Sequence, residues 1–367
     1  MAWENKTEPN DFILLGFSQF WEVQLVLFII FLLLYMATLF SNILVLLAIF
    51  QEPRLSHSPM FFLLGHLAFL DLGISSFAMP RALVDFLTQH QVISFQGCMA
   101  QLFFLHLFGG SEMILLMFMA YDRYVAICHP LHYASRMSRH HCIGFVLIAW
   151  SFGLLHTSVQ LGFAVNIPFC GSNHVDSFFC DMPLLIKLAC MDTYLLEVMM
   201  AANNGILTLV SLAALLLSYG LILYTICSRG TPGGTSKAIS TCTSHLIVVS
   251  MYFGPIMFIY LQPNIHSLFD KVLSVFYTSV TPFMNPTVYA LKNKEMKAAM
   301  RKLLTKRSGV FSTQIVTIQP GGLFCWKPNK KTLPLKASLN PMSLTRSVVA
   351  RVEKGFIEPR DRLGTNN

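Results

Sequence analysis

The sequence predicts an all-α membrane protein, a seven-transmembrane helix bundle with a short amphipathic eighth helix. Three observations carry that prediction. Hydrophobic residues make up 54% of the 367 and charged residues only 12%, about half the charge of a soluble domain. Seven stretches (23–50, 56–80, 87–121, 140–175, 198–228, 238–269 and 272–291) carry no charge except Asp71 and Glu112, and a bilayer core takes roughly 20 apolar residues per helix. The period-2 alternation of a barrel strand is absent from them, and in lipid a helix satisfies its own backbone hydrogen bonds.

Residues 1–22 are expected to form an outer tail. Lys6 is outnumbered there by Glu4, Glu8, Asp11 and Glu22, unlike the basic-then-apolar start of a cleaved signal. The first helix is therefore expected to act as an uncleaved anchor. Asn5-Lys6-Thr7 fits the glycosylation sequon. Residues 23–291 form the bundle, with helices near 24–50, 58–86, 97–128, 141–162, 197–227, 237–261 and 270–291, each following an apolar stretch. Gly230-Thr-Pro-Gly-Gly234 marks the turn between the fifth and sixth. Residues 292–304 place Met296, Met300, Leu303 and Leu304 on one face, with Lys294, Lys297, Arg301 and Lys302 elsewhere. That suits a helix lying on an anionic inner leaflet. Residues 305–367 are expected to form a cytoplasmic tail; from residue 309 no helical period persists, so it is predicted to be mostly disordered.

The net charge of +8 is unevenly spread: +12 from Lys292 onward and −4 before it. Basic charge concentrated after the last helix marks a cytoplasmic end rather than a nucleic-acid surface. The inner loop after the third helix has Arg123, Arg136 and Arg139 against Asp122, whereas the 163–196 loop has Asp176, Asp181 and Asp192 against Lys187. The expected topology is multi-pass in the plasma membrane, N-terminus outside and C-terminus inside.

Two motifs stand at the inner ends of helices. Asp122-Arg123-Tyr124 closes the third, where Arg123 can pair with Asp122 or turn to the sixth helix or an intracellular partner, a two-state electrostatic element. Asn285-Pro286-Thr287-Val288-Tyr289 closes the seventh, where Pro286 removes a backbone donor and kinks the helix. Deeper in, Asp71 lies roughly 20 Å along the second helix from its inner end, and Glu112 roughly 16 Å above Arg123, at about 1.5 Å per residue. Asn42 and Asn285 fall near the same level. We expect a polar cluster of Asp71, Glu112 and Asn285 holding a sodium ion, or a shared proton plus water, because two facing carboxylates otherwise repel.

Cys98, Cys170, Cys180 and Cys190 lie on the outer side, where disulfides persist. Four cysteines allow three pairings; the preferred ones are Cys98–Cys180, tying the loop to the third helix, and Cys170–Cys190, closing the loop on itself. The spacing lacks the C-x-x-C pair of a zinc site, so no transition metal is expected. No Gly-rich phosphate loop, H-E-x-x-H or G-x-S-x-G occurs, so no enzyme motif competes.

With these motifs placed, the chain resembles the olfactory (odorant) receptor family of rhodopsin-like G-protein-coupled receptors over roughly residues 8–307. The strings that carry the likeness are Phe12-Ile-Leu-Leu-Gly-Phe17, Pro59-Met-Phe-Phe-Leu63, Leu67-Ala-Phe-Leu-Asp71, the run from Met119 to Tyr133 with its Met-Ala-Tyr-Asp-Arg-Tyr start, Lys237-Ala-Ile-Ser-Thr-Cys-Thr-Ser-His-Leu246 and Pro282-Phe-Met-Asn-Pro-Thr-Val-Tyr-Ala-Leu-Lys-Asn293. The resemblance implies coupling to the olfactory stimulatory heterotrimeric G protein and a rise in cyclic AMP, with Asp122, Arg123, Tyr124, Asn285, Pro286 and Tyr289 as the switch. It also supports both disulfides and the sodium-site roles. Two features depart from the family: the chain continues to Asn367, and Tyr252-Phe253-Gly254 reverses the usual Phe-Tyr-Gly order.

A ligand is expected between helices 3, 5, 6 and 7. Leu102, Leu105, His106 and Gly109 follow i, i+3, i+4, i+7 spacing. Tyr252, Phe253, Ile256 and Tyr260 on helix 6, Tyr277 and Thr278 on helix 7 and Asn203 on helix 5 complete the candidates. Gly109 and Gly110 leave room for a ligand or permit close helix packing. The outer half of helix 3 has no acid, so a small, mostly apolar, neutral volatile is favoured. Besides that volatile and the G protein, membrane lipid is the expected partner, with no nucleic acid and no cofactor other than a possible sodium ion. The competing readings are a rhodopsin-like receptor for a small endogenous metabolite outside the nose, and a channel or transporter, for which repeat symmetry is lacking.

Overall fold

The outer tail contributes a strand, which the all-helical expectation did not include. The computed structural model describes residues 11–88, 91–169, 173–229, 232–261 and 268–312. Within them β1 (Asp11–Leu14) pairs antiparallel with β2 (Val92–Ser94) and parallel with β3 (His174–Val175), in the order β2-β1-β3. The cause is the alternation in Asp-Phe-Ile-Leu: Phe12 and Leu14 are fully buried while Asp11 is exposed, the period of a half-buried strand. Phe12 stacks edge-on against Phe169 with centroids 5.2 Å apart.

Helix α1 (Trp21–Gln51) is apolar nearly all round. Its Leu33, Phe40 and Phe50 stay exposed while Thr38 and Asn42 are buried, the inverse of a soluble helix. Pro53 ends it by forcing the preceding residue out of the helical region; Glu52 is extended, and Pro53 starts the short α2 (Pro53–Ser56). Helix α3 (Pro59–Thr88) contains Pro80. Helix α4 (Phe95–Cys128) is capped by Ser94, whose hydroxyl accepts from the Gly97 amide at 3.1 Å. It is the central helix and packs against α3, α6 and α9. A 3-10 turn (Pro130–His132) and α5 (Tyr133–Arg136) lead to α6 (Arg139–Ala164), capped by Ser138.

Gly153 on α6 meets α4 so closely that a methyl group there overlaps Ser111 Oγ and the Leu107 carbonyl, and Gly110 lies opposite. Such small-residue contact is a general route to close helix packing in lipid.

After β3 come α7 (Met182–Ile186) and α8 (Tyr194–Ala201), then a π-helical turn (Ala202–Ile206) running into α9 (Leu207–Arg229). Helix α10 (Pro232–Leu261) contains Pro255. Helix α11 (Leu268–Val275), a second π turn (Phe276–Val280) and α12 (Thr281–Lys292) form one run. Neither π turn was predicted: each adds a residue to a turn without altering hydrophobic spacing enough to be read. Asn293 is extended, and its side chain caps α13 (Lys294–Ser312), accepting from the amides of Glu295 and Met296 at 2.8 and 3.1 Å. That helix outruns the expected end at residue 304; residues 313–367 lie outside the described residues.

Among the described residues, five helical runs are long and apolar enough to cross a bilayer: α1, α3, α4, α6 and the α8–α9 run; in α10 the apolar part is the shorter His245–Ile259. The main apolar core joins α1, α3, α4, α6, α9 and α10, and a second cluster beneath the sheet holds Phe12, Cys98, Leu102 and Cys180.

Candidate functional site

Three polar assemblies are stacked along the bundle. At the end of α4 Arg123 Nη2 and Asp122 Oδ2 are 2.7 Å apart, with the Asp122 side chain 1% exposed. Tyr133 of α5 donates to the other Asp122 oxygen at 2.7 Å. Burial, then the Asp122 carboxylate beside it, raises the Tyr133 phenol above its ordinary range, so it stays a donor. Tyr124 turns instead to His129, Oη to Nε2 at 3.1 Å. Nearby, the Tyr219 hydroxyl of α9 and His245 Nδ1 of α10 share a hydrogen bond, both side chains buried. Sequence reasoning singled out neither Tyr133, Tyr219 nor His245. The Tyr133 partner is eleven positions back, across a turn that no periodicity reveals.

At mid-depth the three residues grouped from sequence do meet. Asn285 Nδ2 donates to Asp71 Oδ1 at 2.8 Å and to Glu112 Oε1 at 2.9 Å. All three residues are 0% exposed, and Asp71 Oδ2, Glu112 Oε2 and Asn285 Oδ1 have no hydrogen-bond partner. Asn42 does not touch the acids. Its Nδ2 donates to the Pro282 carbonyl at 2.9 Å and to the Thr38 carbonyl at 3.0 Å. Pro286 has no N–H for the carbonyl four residues back, so Asn42 replaces the missing donor. The same device recurs at Pro255, where Thr281 Oγ1 donates to the Met251 carbonyl at 3.2 Å. Pro286 and Tyr289 both belong to α12; the Tyr289 side chain lies outside the described residues.

A cavity of about 90 Å³ opens among α4, α6, the α9 run, α10 and the loop after β3. Of the predicted residues, Leu105, His106, Gly109, Tyr252 and Ile256 line it, as does Tyr277. Tyr252 Oη donates to the Gly109 carbonyl at 2.6 Å. The remaining candidates stand elsewhere, each for a geometric reason. Leu102, one turn outward from His106, is absorbed into the cluster beneath the sheet. Phe253 is rotated about 100° from Tyr252 and packs in the main core. In the first π turn the extra residue brings Asn204 rather than Asn203 to the cavity. In the second, Tyr277 faces it, while Thr278 turns to the Ser274 carbonyl at 2.7 Å. The Tyr260 side chain lies outside the described residues.

The wall also contains His156, Asp181, Asn204 and Thr208, which sequence reasoning missed. Asp181 arrives from the loop because Cys180 is bonded to Cys98 of α4, 82 positions away, and because the Cys180 amide donates to Gln101 Oε1 at 2.8 Å. Asp181 accepts from the Met182 amide at 2.8 Å and from Tyr277 at 3.3 Å. Cys190 is disulfide-bonded. Its preferred partner Cys170, and the sequon at Asn5, lie outside the described residues.

Comparison with known proteins bears on the whole bundle. The olfactory receptor family model matches residues 31–307. Olfactory receptor 4K3 of Homo sapiens is 52% identical over 303 residues, covering 83% of this chain and 96% of its own length. Olfactory receptor 4K14 of Homo sapiens is 51% identical over 304 residues, covering 83% and 98%. Olfactory receptor 4F4 of Homo sapiens is 48% identical over 294 residues, covering 80% and 96%. The described helices are compatible with a membrane, and the relatives are receptors rather than enzymes. This chain belongs to the olfactory receptor family of G-protein-coupled receptors.

Proposed function

We propose that the protein is an odorant receptor. It crosses the plasma membrane seven times, its N-terminus outside, binds a small and mostly apolar volatile in the outer cavity, and activates a stimulatory olfactory-type G protein to raise cyclic AMP. The observation that carries this reading is the stacking of three assemblies in one bundle: cavity, polar centre and a closed Asp122–Arg123 pair. The helices α10 and α11–α12 supply the sixth and seventh crossings, and α13 lies along the inner leaflet, where Met296 and Ala299 are buried. The basic excess after Lys292 supports an inner C-terminus.

The mechanism is a population shift. Ligand contacts with α4, the α9 run and α10 favour a rearrangement that opens the Tyr219–His245 contact and frees Arg123 for the G protein, while Tyr289 repacks. A ligand moves this balance only through better binding to the active arrangement.

The polar centre fits a sodium ion. Asp71 Oδ2, Glu112 Oε2 and Asn285 Oδ1 are buried oxygens without partners, a hard donor set. A bound ion there offsets one of the two negative charges and screens carboxylates that otherwise repel; a proton with water is the competing occupant. A cyclic-AMP reporter screen of the full-length receptor against a panel of volatiles tests the function. Responses are expected in the wild type and lost in Arg123→Ala at equal surface level; responses that persist fully in the variant defeat the coupling role.

A further inference from the structure

Three buried nitrogens in the cavity wall lack partners: His106 Nε2, His156 Nδ1 and Asn204 Nδ2. The others that could contact a ligand are largely occupied. Tyr252 donates to Gly109, Thr208 donates to the Asn204 carbonyl at 2.6 Å, and Asp181 accepts from Met182 and Tyr277.

The chemistry of His106 is set by its own helix. Its Nδ1 lies 3.0 Å from the Leu102 carbonyl oxygen. A carbonyl oxygen only accepts, so Nδ1 carries the proton, and Nε2 of the neutral ring presents a lone pair. Asn204 is 6% exposed. Its Oδ1 accepts from Gln160 Nε2 at 3.1 Å, which leaves its Nδ2 as a donor. Beside the unpartnered His156 Nδ1, the wall therefore offers an unfilled acceptor at His106 and an unfilled donor at Asn204, with its other polar groups already bonded.

Resting on the odorant-receptor reading, we infer that the ligand class is a neutral volatile bearing a hydroxyl group, an alcohol or a phenol, whose O–H donates to His106 Nε2 and whose oxygen accepts from Asn204 Nδ2. A hydroxyl is both donor and acceptor, so one group can meet both atoms. An aldehyde, ketone or ether only accepts, and leaves His106 Nε2 bare; an unmet buried polar atom weakens binding about tenfold or more. A carboxylate faces Asp181 across the same cavity. An ammonium ion has donors only and leaves Asn204 Nδ2 bare.

The test uses the full-length receptor in cells supplied with the olfactory-type G protein, with cyclic AMP and surface staining as readouts. The probes are hexanol, cyclohexanol and phenol, each beside its methyl ether, with hexanal and cyclohexanone as carbonyl counterparts. The expected result is an alcohol potency at least about tenfold above the matched ether and carbonyl, with that ratio falling to near one in His106→Leu. A merely structural role for His106 lowers all responses together and leaves the ratio intact. Should His106→Leu fail to reach the surface, Asn204→Val reads the same ratio. Ethers or carbonyls matching the alcohols in the wild type overturn the hydroxyl inference and leave the receptor reading standing. Silence towards every volatile at normal surface level removes the receptor reading and this inference with it.

Discussion

Asn42 of α1 donates to the carbonyl of Pro282 in α12 at 2.9 Å, the acceptor that Pro286 leaves without its helical donor. The turn of α12 that Pro286 interrupts is therefore tied to α1 by a side chain. Replacing Asn42 by Leu strands that carbonyl in the core, at a cost of about 1–3 kcal/mol. The melting temperature of purified receptor is expected to fall; an unchanged melting curve would show that another group takes over.

The inner lock depends on a residue outside the Asp-Arg-Tyr triplet. Tyr133 holds Asp122 at 2.7 Å while Asp122 pairs with Arg123. Removing one hydroxyl in Tyr133→Phe loses a hydrogen bond to a charged group, worth about 1.5–3 kcal/mol. If most of that is specific to the closed arrangement, basal cyclic AMP rises roughly tenfold per 1.4 kcal/mol. Equal basal signalling at equal surface level would take Tyr133 out of the switch.

The paired carboxylates of the polar centre set an ionic-composition test. Potency of an activating volatile is expected to be at least about fivefold lower in sodium than in choline medium, because an ion at the proposed site would hold α3, α4 and α12 in the closed arrangement. Asp71→Asn should erase that difference. A wild type indifferent to sodium favours the proton-and-water occupant.

Close packing of α4 on α6 yields a paired substitution. Gly153→Ala forces a methyl into Ser111 and Leu107, whereas Gly144, on the same α6, has nothing within 4 Å. Overpacking costs about 1–3 kcal/mol, while Ala in place of a helical Gly with open space beside it gains up to about 1 kcal/mol. Thermal unfolding of the two variants should move in opposite directions; a Gly153→Ala protein as stable as Gly144→Ala would refute the contact.

Much of the site was legible because its signals are one-dimensional. Burial of Asp71 and Glu112 in apolar stretches marks depth, and rise per residue places them level with Asn285; the structure joins all three at 2.8 and 2.9 Å. His106 and Gly109 were legible because α4 keeps a regular helical phase up to the cavity. Asn203 and Thr278 were not placed correctly because both lie in π turns, where one extra residue rotates the chain. The Phe12 strand was missed because its partners lie about 80 and 160 positions away.

The sequence by itself determined the membrane character, the depth of the acids and the place of the arginine motif, since each follows from where charge interrupts apolar helix. Only the tertiary structure decided which donor meets each proline-freed carbonyl, which residue of each π turn faces the cavity, and that Tyr133 donates to Asp122. Those are choices between neighbours a few ångströms apart, and they are settled by how helices pack, which no local pattern of residues encodes.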